Sequence, residues 1–437
     1  MKPSARIKAV EEILDRVFEA RIPMDLVVGD YMRGRRYIGS KDRAFIAEKS
    51  YDLMRHYARA QWICDKLKTG FTPRHMVIVY LICFQETSLK RLQDLFDEGK
   101  YAPEPLSSQE TDMIEYLQAN KAALIKKMPE RVLLECPEDC HSDLKSRFGD
   151  QFSEEMTAFH NSAHLDLRVN ISKISRQEAQ DSLKKDGVET DKTPYSPWGL
   201  RCRNKVHLAK ISVFKKGLVE IQDEGSQLIA FLCDPRPGLQ ILDYCAGGGG
   251  KTLALSTSMQ AKGRLVATDI DGRRLKNTNE RLKRAGLSDN VEVRPLDEPR
   301  HLKWRKRQKE NFDRVLVDAP CSGTGTWRRN PDARWFRHGP DLEELIQTQE
   351  EILDKVAGIP KSGGYLVYAT CSILPQENER QIEKFLSKYS DYNVVPMENA
   401  WPENHDFPEV FKGKEFMSLS PLLHNTDGFF AAVLKRN

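Results

Sequence analysis

The chain has 437 residues, of which 40% are hydrophobic and 30% are charged, and its formal net charge is +4. This apolar content is enough for packed cores and excludes a chain that is disordered throughout, while the length predicts two or three domains. A charge of +4 is compatible with nucleic-acid binding but does not by itself indicate it, because the distribution of charge matters more than its sum.

The sequence contains no recognisable signal peptide and no apolar run of the ~18 residues that a membrane span requires. The nine cysteines, an odd number, lack the spacing of a disulfide framework. Cys136, Cys140 and His141 suggest metal ligands, but no second pair of ligands lies nearby, and we expect no metal site. We therefore expect a monomeric cytoplasmic protein, since free thiols persist in a reducing compartment.

Residues 1–140 are predicted to form an all-α domain. Apolar residues recur at helical spacing through the first 20 residues, a second helix follows the break at residues 39–40, and HMVIVYLICF (75–84) predicts a buried central helix. This region contains no catalytic constellation, so a scaffold or docking role is the simplest interpretation.

Residues 141–225 are predicted to form a small α+β RNA-binding domain. The stretch 165–174 alternates like a strand, and 187–204 is rich in turn residues. A basic face that carries an aromatic ring suits single-stranded RNA, although a solvated charged surface is the alternative. The residues concerned are Trp198, Arg201, Arg203, Lys205, Lys210, Lys215 and Lys216.

From residue 226 to 437, apolar strands alternate with segments of helical spacing. This alternation predicts an α/β domain of Rossmann-like fold, in which a parallel sheet is covered on both faces and binds its ligand at the carboxyl ends of the strands. Five strands are predicted at 239–245, 263–271, 291–297, 312–318 and 363–371, with a late strand at 428–434 and helices at 249–260, 271–286, 341–357 and 376–389.

The stretch ILDYCAGGGGKT (241–252) follows the first of these strands. Its four glycines allow the backbone to approach a ligand closely, and the next helix directs its N-terminal amides into the same space. A phosphate-binding P-loop requires glycine at position 245, where Cys245 stands, and a dinucleotide fingerprint begun at Gly247 requires glycine at position 252, where Thr252 stands. An S-adenosylmethionine-binding turn is the third identity, a surface loop is a further alternative, and the choice depends on the residues downstream.

A polar residue lies at the end of each of the next four strands, namely Asp269, Asp297, Asp318 and Cys371. An acid at the end of the second strand commonly accepts hydrogen bonds from ribose hydroxyls, and Asp297 would lie within reach of an adenine edge. A P-loop enzyme needs neither Asp269 nor two cysteines, so this series favours the methyltransferase interpretation.

Cys321 and Cys371 are predicted to face one substrate. They follow adjacent strands, whose ends lie roughly 5 Å apart in a sheet. A thiolate is a strong nucleophile, and adding it to carbon 6 of a pyrimidine makes carbon 5 able to attack a sulfonium methyl group. The alternative is a pair of buried structural cysteines.

The motifs DYCAGGGGKT, ATDID, VLVDAPCSGTGTWRRNPDARW and YATCSILPQEN resemble those of the Sun family of RNA 5-methylcytosine methyltransferases. The tract 213–230 is similar to the family's lead-in to the catalytic domain. Residues 1–140, through DRAFIAEKSYDLMRH (42–56), resemble the NusB-like domain of the bacterial members that act on ribosomal RNA, the RsmB type.

The resemblance implies a role for each site residue. Cys371 would be the nucleophile and Cys321 would assist release of the product, while Asp318 would hold the cytosine edge and Lys251 would orient the base or favour the thiolate. The cofactor, S-adenosylmethionine, would be bound by Cys245, Ala246, Gly247, Gly248, Gly249, Gly250, Lys251, Asp269, Asp297 and Asp318.

The chain departs from the family at one point in this site. The family usually has Ala-Pro-Gly-Gly where this chain has four glycines at 247–250, so the proline is missing. A turn without proline should be less preorganised for the cofactor.

The target base must leave its stack to reach a strand-end thiol, which favours an RNA loop over an intact duplex. The basic stretches 300–309 and 326–337 are predicted to contact RNA near this site, although 300–309 is also consistent with a solvated charged loop. We expect small-subunit rRNA as substrate. The alternatives are tRNA with the same chemistry, and a non-catalytic RNA-binding assembly factor.

Overall fold

The computed structural model describes residues 1–20, 22–204, 206, 211–297 and 299–437. Their contacts divide the chain into two compact units. The helical unit comprises Met1–Asn161 with Thr326–Pro340, and the sheet unit comprises Ser162–Gly325 with Asp341–Asn437. The segment Thr326–Pro340 was predicted as part of the methyltransferase domain at 226–437, but by its contacts it belongs with the helices.

The helical unit is built around one buried helix, α5 (Pro73–Cys83), whose residues from Met76 to Cys83 are all buried. This confirms the central helix predicted at 75–84. Helix α2 (Met24–Gly34) was not predicted, although its buried residues Met24, Val27, Val28, Tyr31 and Met32 recur at helical spacing. The helices are α1 (Pro3–Ala20), α2 (Met24–Gly34), α3 (Ser40–Met54), α4 (Tyr57–Leu67), α5 (Pro73–Cys83), α6 (Leu89–Leu95), α7 (Ser108–Lys126), α8 (Glu130–Leu133), α9 (Glu138–Phe148) and α10 (Phe152–Ala158).

The segment Thr326–Pro340 packs in the core of the helical unit. The ring of Trp335 stacks on Tyr57 with centroids 5.1 Å apart, and its indole N–H donates to the Met54 carbonyl at 3.1 Å. The Asp332 carboxylate accepts from the backbone N–H of Met24, at the start of α2, at 2.9 Å.

The same packing corrects part of the interpretation of residues 326–337 as an RNA-contacting stretch, although Arg337 at its end is exposed. Trp327, Arg328 and Arg334 are buried, so these side chains are not available to phosphates or bases. Burial lowers the pKa of Arg334 to about 10, and its guanidinium lies over the Trp327 ring at 4.5 Å.

The sheet unit begins with a small antiparallel sheet in the order β2-β3-β1-β4. Trp198 is buried edge-on against Phe231, so its predicted role in base stacking is wrong. Arg201 is paired with Asp166, and the predicted contacts Lys205 and Lys210 lie outside the described residues. The elements are β1 (Leu165–Val169), α11 (Arg176–Lys185), β2 (Thr190–Lys192), β3 (Gly199–Cys202), α12 (Ser212–Lys215) and β4 (Val219–Ile221).

The larger sheet has the order β10-β12-β9-β8-β5-β6-β7, with β11 paired to β12. Strands β5 to β9 are parallel, and β12 joins β9 antiparallel. All five predicted parallel strands and the late strand are present. The elements are α13 (Glu224–Leu232), β5 (Gln240–Asp243), α14 (Gly250–Ser258), β6 (Arg264–Asp269), α15 (Gly272–Ala285), β7 (Val291–Pro295), α16 (Pro299–Lys306), β8 (Phe312–Asp318), α17 (Leu342–Val356), β9 (Pro360–Thr370), α18 (Glu379–Lys388), β10 (Tyr392–Val394), α19 (Met397–Ala400), β11 (Met417–Leu419), α20 (Pro421–His424) and β12 (Phe429–Arg436).

The register of the parallel strands places the predicted site residues at one edge. Asp243 at the end of β5 pairs with Leu316 of β8, and Asp318 at the end of β8 pairs with Ala369 of β9.

Across the part of the chain that the structure describes, no helix meets the length and apolarity of a membrane span, and no group of three or more His, Cys, Asp or Glu is placed to hold a metal ion.

Candidate active site

The glycine turn after β5 adopts a conformation that side chains disfavour. Gly247 has φ +54° and Gly249 has φ +77°, and a Cβ at Gly249 would lie 2.5 Å from the Thr278 side chain. The Gly249 N–H donates to the Ala246 carbonyl at 2.9 Å, which closes the turn. Both positions lie in the left-handed region of φ, which glycine adopts at no steric cost.

Asp269 connects the glycine turn to the end of β6. One carboxylate oxygen accepts from the Gly247 N–H at 2.8 Å, and the other accepts from the Asp271 N–H at 2.8 Å. Asp269 is buried, so these two bonds fix its orientation. The predicted ribose-binding acid thus lies directly beside the turn.

An open pocket of about 510 Å³ lies next to Asp269. It is lined by Ile270, Asp271, Gly272, Arg273 and Asp297, and the Ile270 side chain is 77% exposed. An exposed isoleucine between carboxylates offers an apolar surface for an adenine ring and acceptors for ribose hydroxyls, so these residues fit S-adenosylmethionine. Sequence reasoning missed Ile270 and Asp271, although an apolar residue between two acids after a strand was a visible signal.

Lys251 and Asp318 form a partly buried ion pair at the edge of the sheet, with Nζ and Oδ2 2.6 Å apart. Burial alone would lower the pKa of Lys251, but the charge of Asp318 and the hydrogen bond between them raise it above its ordinary value. Cys371 also interacts electrostatically with the ammonium group. The two predicted residues therefore place a cation beside the thiol of Cys371.

Asp243, the last residue of β5, was not predicted as a site residue. Its carboxylate accepts from the Thr252 hydroxyl at 2.6 Å, which fixes the first turn of α14. Burial raises the pKa of Asp243 to about 7, although the bond from Thr252 opposes this shift.

Cys321 and Cys371 lie together, as their positions after adjacent strands predicted. Their sulfur atoms are 3.4 Å apart, and both residues are partly exposed. The hydrogen bond with Cys371 and burial raise the pKa of the Cys321 thiol well above its usual range. One pair of thiols therefore faces the same space, with the cation of Lys251 near Cys371.

A buried carboxylate holds the loop that carries Cys321. Glu377 accepts from the Ser322 N–H at 2.8 Å and from the Ser322 hydroxyl at 2.5 Å. The Gln349 amide donates to both Glu377 and the Pro320 carbonyl, each at 2.9 Å. Glu377 occurs within the motif quoted above without an assigned role, and Gln349 has no local sequence signal.

The loop that carries Cys371 is held by a second set of bonds. The Asn378 side chain donates to the Ser372 carbonyl at 2.9 Å and accepts from the Thr370 hydroxyl at 2.5 Å. The Gly325 N–H donates to the Cys371 carbonyl at 2.9 Å. Both thiols are therefore positioned by buried polar groups that keep them at one edge of the sheet.

A mostly parallel sheet with a glycine turn after its first strand and an acid at the end of its second defines a Rossmann-like S-adenosylmethionine-dependent methyltransferase. A family model for the 16S rRNA methyltransferase RsmB/F matches residues 230–435, and a model for the ferredoxin-like domain of RsmF/B-like methyltransferases matches residues 137–209. The chain belongs to the RsmB/F family, which confirms the predicted family, fold class and class of enzyme.

Relatives of this chain carry the name ribosomal RNA small subunit methyltransferase B. The protein of Klebsiella pneumoniae is 32% identical over 414 residues, which cover 91% of each chain. That of Photorhabdus laumondii is 37% identical over 300 residues, which cover 69% of this chain and 66% of the relative.

Solved structures share the fold. The structure of PH0851 superposes with a TM-score of 0.78 at 25% identity, over 100% of this chain and 99% of that one. A methyltransferase homolog from Pyrococcus horikoshii gives a TM-score of 0.58 at 28% identity, over 70% of this chain and 98% of its own.

Proposed function

We propose that this protein methylates carbon 5 of a cytosine in small-subunit rRNA, with S-adenosylmethionine as the methyl donor. The observation that carries the proposal is the pair of thiols, 3.4 Å apart, at the sheet edge that also holds the glycine turn. The names of the relatives support ribosomal RNA as the substrate.

The cofactor would be held by residues 245–251 together with Asp269 and Asp297, and by Ile270, which sequence reasoning had not included. When bound, it supplies an electrophilic methyl group. The exposed Ile270 would contact the adenine ring, and the two acids would accept from its polar groups and from the ribose. Asp318 already pairs with Lys251, so it would contribute to this site chiefly by orienting that lysine.

The thiolate of Cys371 would attack carbon 6 of the cytosine and push electrons toward carbon 5, which becomes the nucleophile. The ammonium group of Lys251, which interacts electrostatically with Cys371, would orient the base, and Asp318 would accept from the cytosine edge. After methylation, water accepts the proton from carbon 5, the double bond between carbons 5 and 6 re-forms, and the Cys371 sulfur leaves carbon 6 as a thiolate. Cys321, whose sulfur touches that of Cys371, would assist this release.

Two cysteine variants test these roles. We expect Cys371→Ala to retain RNA binding and lose all methylation. Cys321→Ala should accumulate an RNA–protein species that survives denaturing electrophoresis when the methyl donor is present. The double variant is the matched control and should form no such species. Methylation by Cys371→Ala would refute the nucleophile assignment, and absence of the adduct with Cys321→Ala would refute the release role.

The substrate is tested by bisulfite sequencing of rRNA and tRNA from cells with and without the protein. We expect one cytosine of small-subunit rRNA to lose its methyl group when the protein is absent. A change confined to tRNA would instead establish tRNA as the substrate, and an unchanged map in both would favour the non-catalytic assembly factor.

A further inference from the structure

The four carbonyl groups of the glycine turn are all occupied. The Gly249 carbonyl accepts from the backbone N–H of Leu253 at 2.9 Å, as expected at the start of a helix. The other three accept from side chains outside the turn. Gly247 accepts from the Thr278 hydroxyl at 3.0 Å, Gly248 from the Arg281 guanidinium, and Gly250 from the Arg168 guanidinium at 2.6 Å.

The two arginines come from different parts of the sheet unit. Arg168 lies in β1 of the small sheet, is only 2% exposed, and also donates to the Gln222 side chain. Arg281 lies in α15 and pairs with Glu220 at 3.1 Å. Glu220 is the register partner of Arg168 on β4, so one buried carboxylate connects α15 to the strand pair that carries Arg168.

Four successive glycines lose more conformational entropy on ordering than any other tetrapeptide, and this chain lacks the proline that the resembled family places in the turn. Hydrogen bonds from a charged donor are stronger than neutral ones, and a guanidinium presents its donors in a fixed geometry. Burial lowers the pKa of Arg168 to about 9, which leaves it charged at neutral pH.

We propose that Arg168 and Arg281 are positioning residues that hold the glycine turn in its cofactor-binding conformation, in place of the missing proline. The inference rests on the proposed function, because it concerns the turn that would receive S-adenosylmethionine. It also gives the small sheet a second role. Through Arg168, this sheet contributes to cofactor affinity independently of any contact with RNA.

The test is calorimetric titration of the full chain with S-adenosylhomocysteine. We expect Arg281→Met to weaken binding at least tenfold, which corresponds to about 1.4 kcal/mol. The matched control is Lys283→Met, which removes a charge from an exposed position on the same helix and should bind like the wild type. With saturating cofactor, kcat of Arg281→Met should change less than twofold while KM for S-adenosylmethionine rises.

A second substitution separates restraint of the turn from a general loss of packing. A Cβ at Gly248 would meet only the Arg281 side chain, at 3.6 Å, and Gly248 lies outside the left-handed region of φ. Within the described residues no hydrogen bond uses the Gly248 N–H, so proline loses nothing there. Adding Gly248→Pro to Arg281→Met should restore the affinity to within threefold of the wild type.

The outcomes are distinct. A wild-type chain that fails to bind S-adenosylhomocysteine would overturn the proposed function. Equal affinities of wild type and Arg281→Met, or no recovery on adding Gly248→Pro, would overturn this inference alone. Arg168 is buried, so its replacement also disturbs packing, and Arg168→Met serves only as a supporting variant. Thermal unfolding gives the folded fraction of this variant. We expect that fraction to bind S-adenosylhomocysteine more weakly than the wild type does.

Discussion

The Glu377 carboxylate holds the loop that carries Cys321, because it accepts three hydrogen bonds from Ser322 and Gln349. In Glu377→Gln, the charged acceptor becomes a neutral one, and the amide NH2 group replaces the oxygen that accepts from the Ser322 hydroxyl, so that hydroxyl must reverse its hydrogen bond. We expect a loss of about 1–3 kcal/mol of stability, and slower release of product as Cys321 moves, while binding of S-adenosylhomocysteine is kept. Thermal unfolding and the denaturing-gel assay for the covalent adduct measure the two effects. Glu383→Gln, an exposed position on α18, is the control.

Asp243 makes stability depend on pH in a direction opposite to that of an ordinary ion-paired carboxylate. Burial holds its pKa at about 7, above the value of 3.8 expected in the unfolded chain. As pH rises between these values, the unfolded chain releases the proton while the folded chain keeps it, so the free energy of unfolding falls.

Asp243→Asn removes this ionisation and keeps an acceptor for Thr252. From pH 5 to pH 7.5, we expect the stability of the variant relative to wild type to rise by about 2–3 kcal/mol, because each pH unit of altered protonation is worth about 1.4 kcal/mol. Urea unfolding at the two pH values measures the change. Parallel pH profiles for the two proteins would contradict the assignment.

At the scale of residues, sequence reasoning located the groups at strand ends and misjudged exposure. Asp269, Asp318 and both thiols of the site could be predicted, because the ends of parallel strands converge on one edge of a sheet. Trp198 and Arg334 look like RNA contacts in the sequence, yet both are buried. A tract of basic and aromatic residues does not reveal which partner it faces, since the same groups can form cation–π contacts within a core.

At the scale of elements, Gly325 in the loop after β8 packs against Gly428 at the start of β12 and against the Cys371 carbonyl group at the end of β9. A Cβ at Gly325 would lie 2.0 Å from the Gly428 carbonyl oxygen and 2.8 Å from the Cys371 carbonyl oxygen. We expect Gly325→Ala to cost about 1–3 kcal/mol through overpacking, and to lower methylation by displacing Cys371. Gly358→Ala is the control, because its Cβ would make only an ordinary contact at 3.9 Å. Thermal unfolding and methylation assays decide, and wild-type behaviour of Gly325→Ala would refute the expectation.

Apart from β7, which is half-buried along its length, the parallel strands were predicted with ends close to the observed ones because buried strands are continuous apolar runs bounded by turn residues. Other elements gave weaker signals. Strands β10 and β11 have three residues each, too few for a pattern, and α16 is so rich in Lys and Arg that it resembles a charged loop. The contact of Gln349 in α17 with Glu377 joins elements distant in sequence, so no local pattern reports it.

Over the whole molecule, the chain passes between the two compact units three times, after residues 161, 325 and 340. The second passage comes four residues after Cys321. A linear division at 140 and 225 assumes that each domain is one continuous stretch, and no composition change marks Thr326–Pro340 as an exception. Its membership of the helical unit depends on tertiary packing, which periodicity does not encode.

This packing leads to a prediction for Trp335, which stacks on Tyr57 and donates to the Met54 carbonyl. Trp335→Ala removes a half-buried ring and leaves that carbonyl without its donor, so we expect a loss of about 2–3 kcal/mol. The loss should fall on the helical unit, because every contact named here is made within it. Binding of S-adenosylhomocysteine, whose proposed site lies in the sheet unit, should change less than threefold.

Arg337→Ala is the matched control for this variant. Arg337 pairs with Asp139 at 3.1 Å, but both side chains are more than half exposed, and such pairs contribute about 0–1 kcal/mol. Thermal unfolding measures the loss of stability, and limited proteolysis locates it. We expect Trp335→Ala to be cleaved faster than the wild type, first within residues 1–161 of the helical unit. If Trp335→Ala instead abolished cofactor binding while leaving the helices resistant to protease, the segment would act chiefly on the sheet unit and the assignment would be wrong.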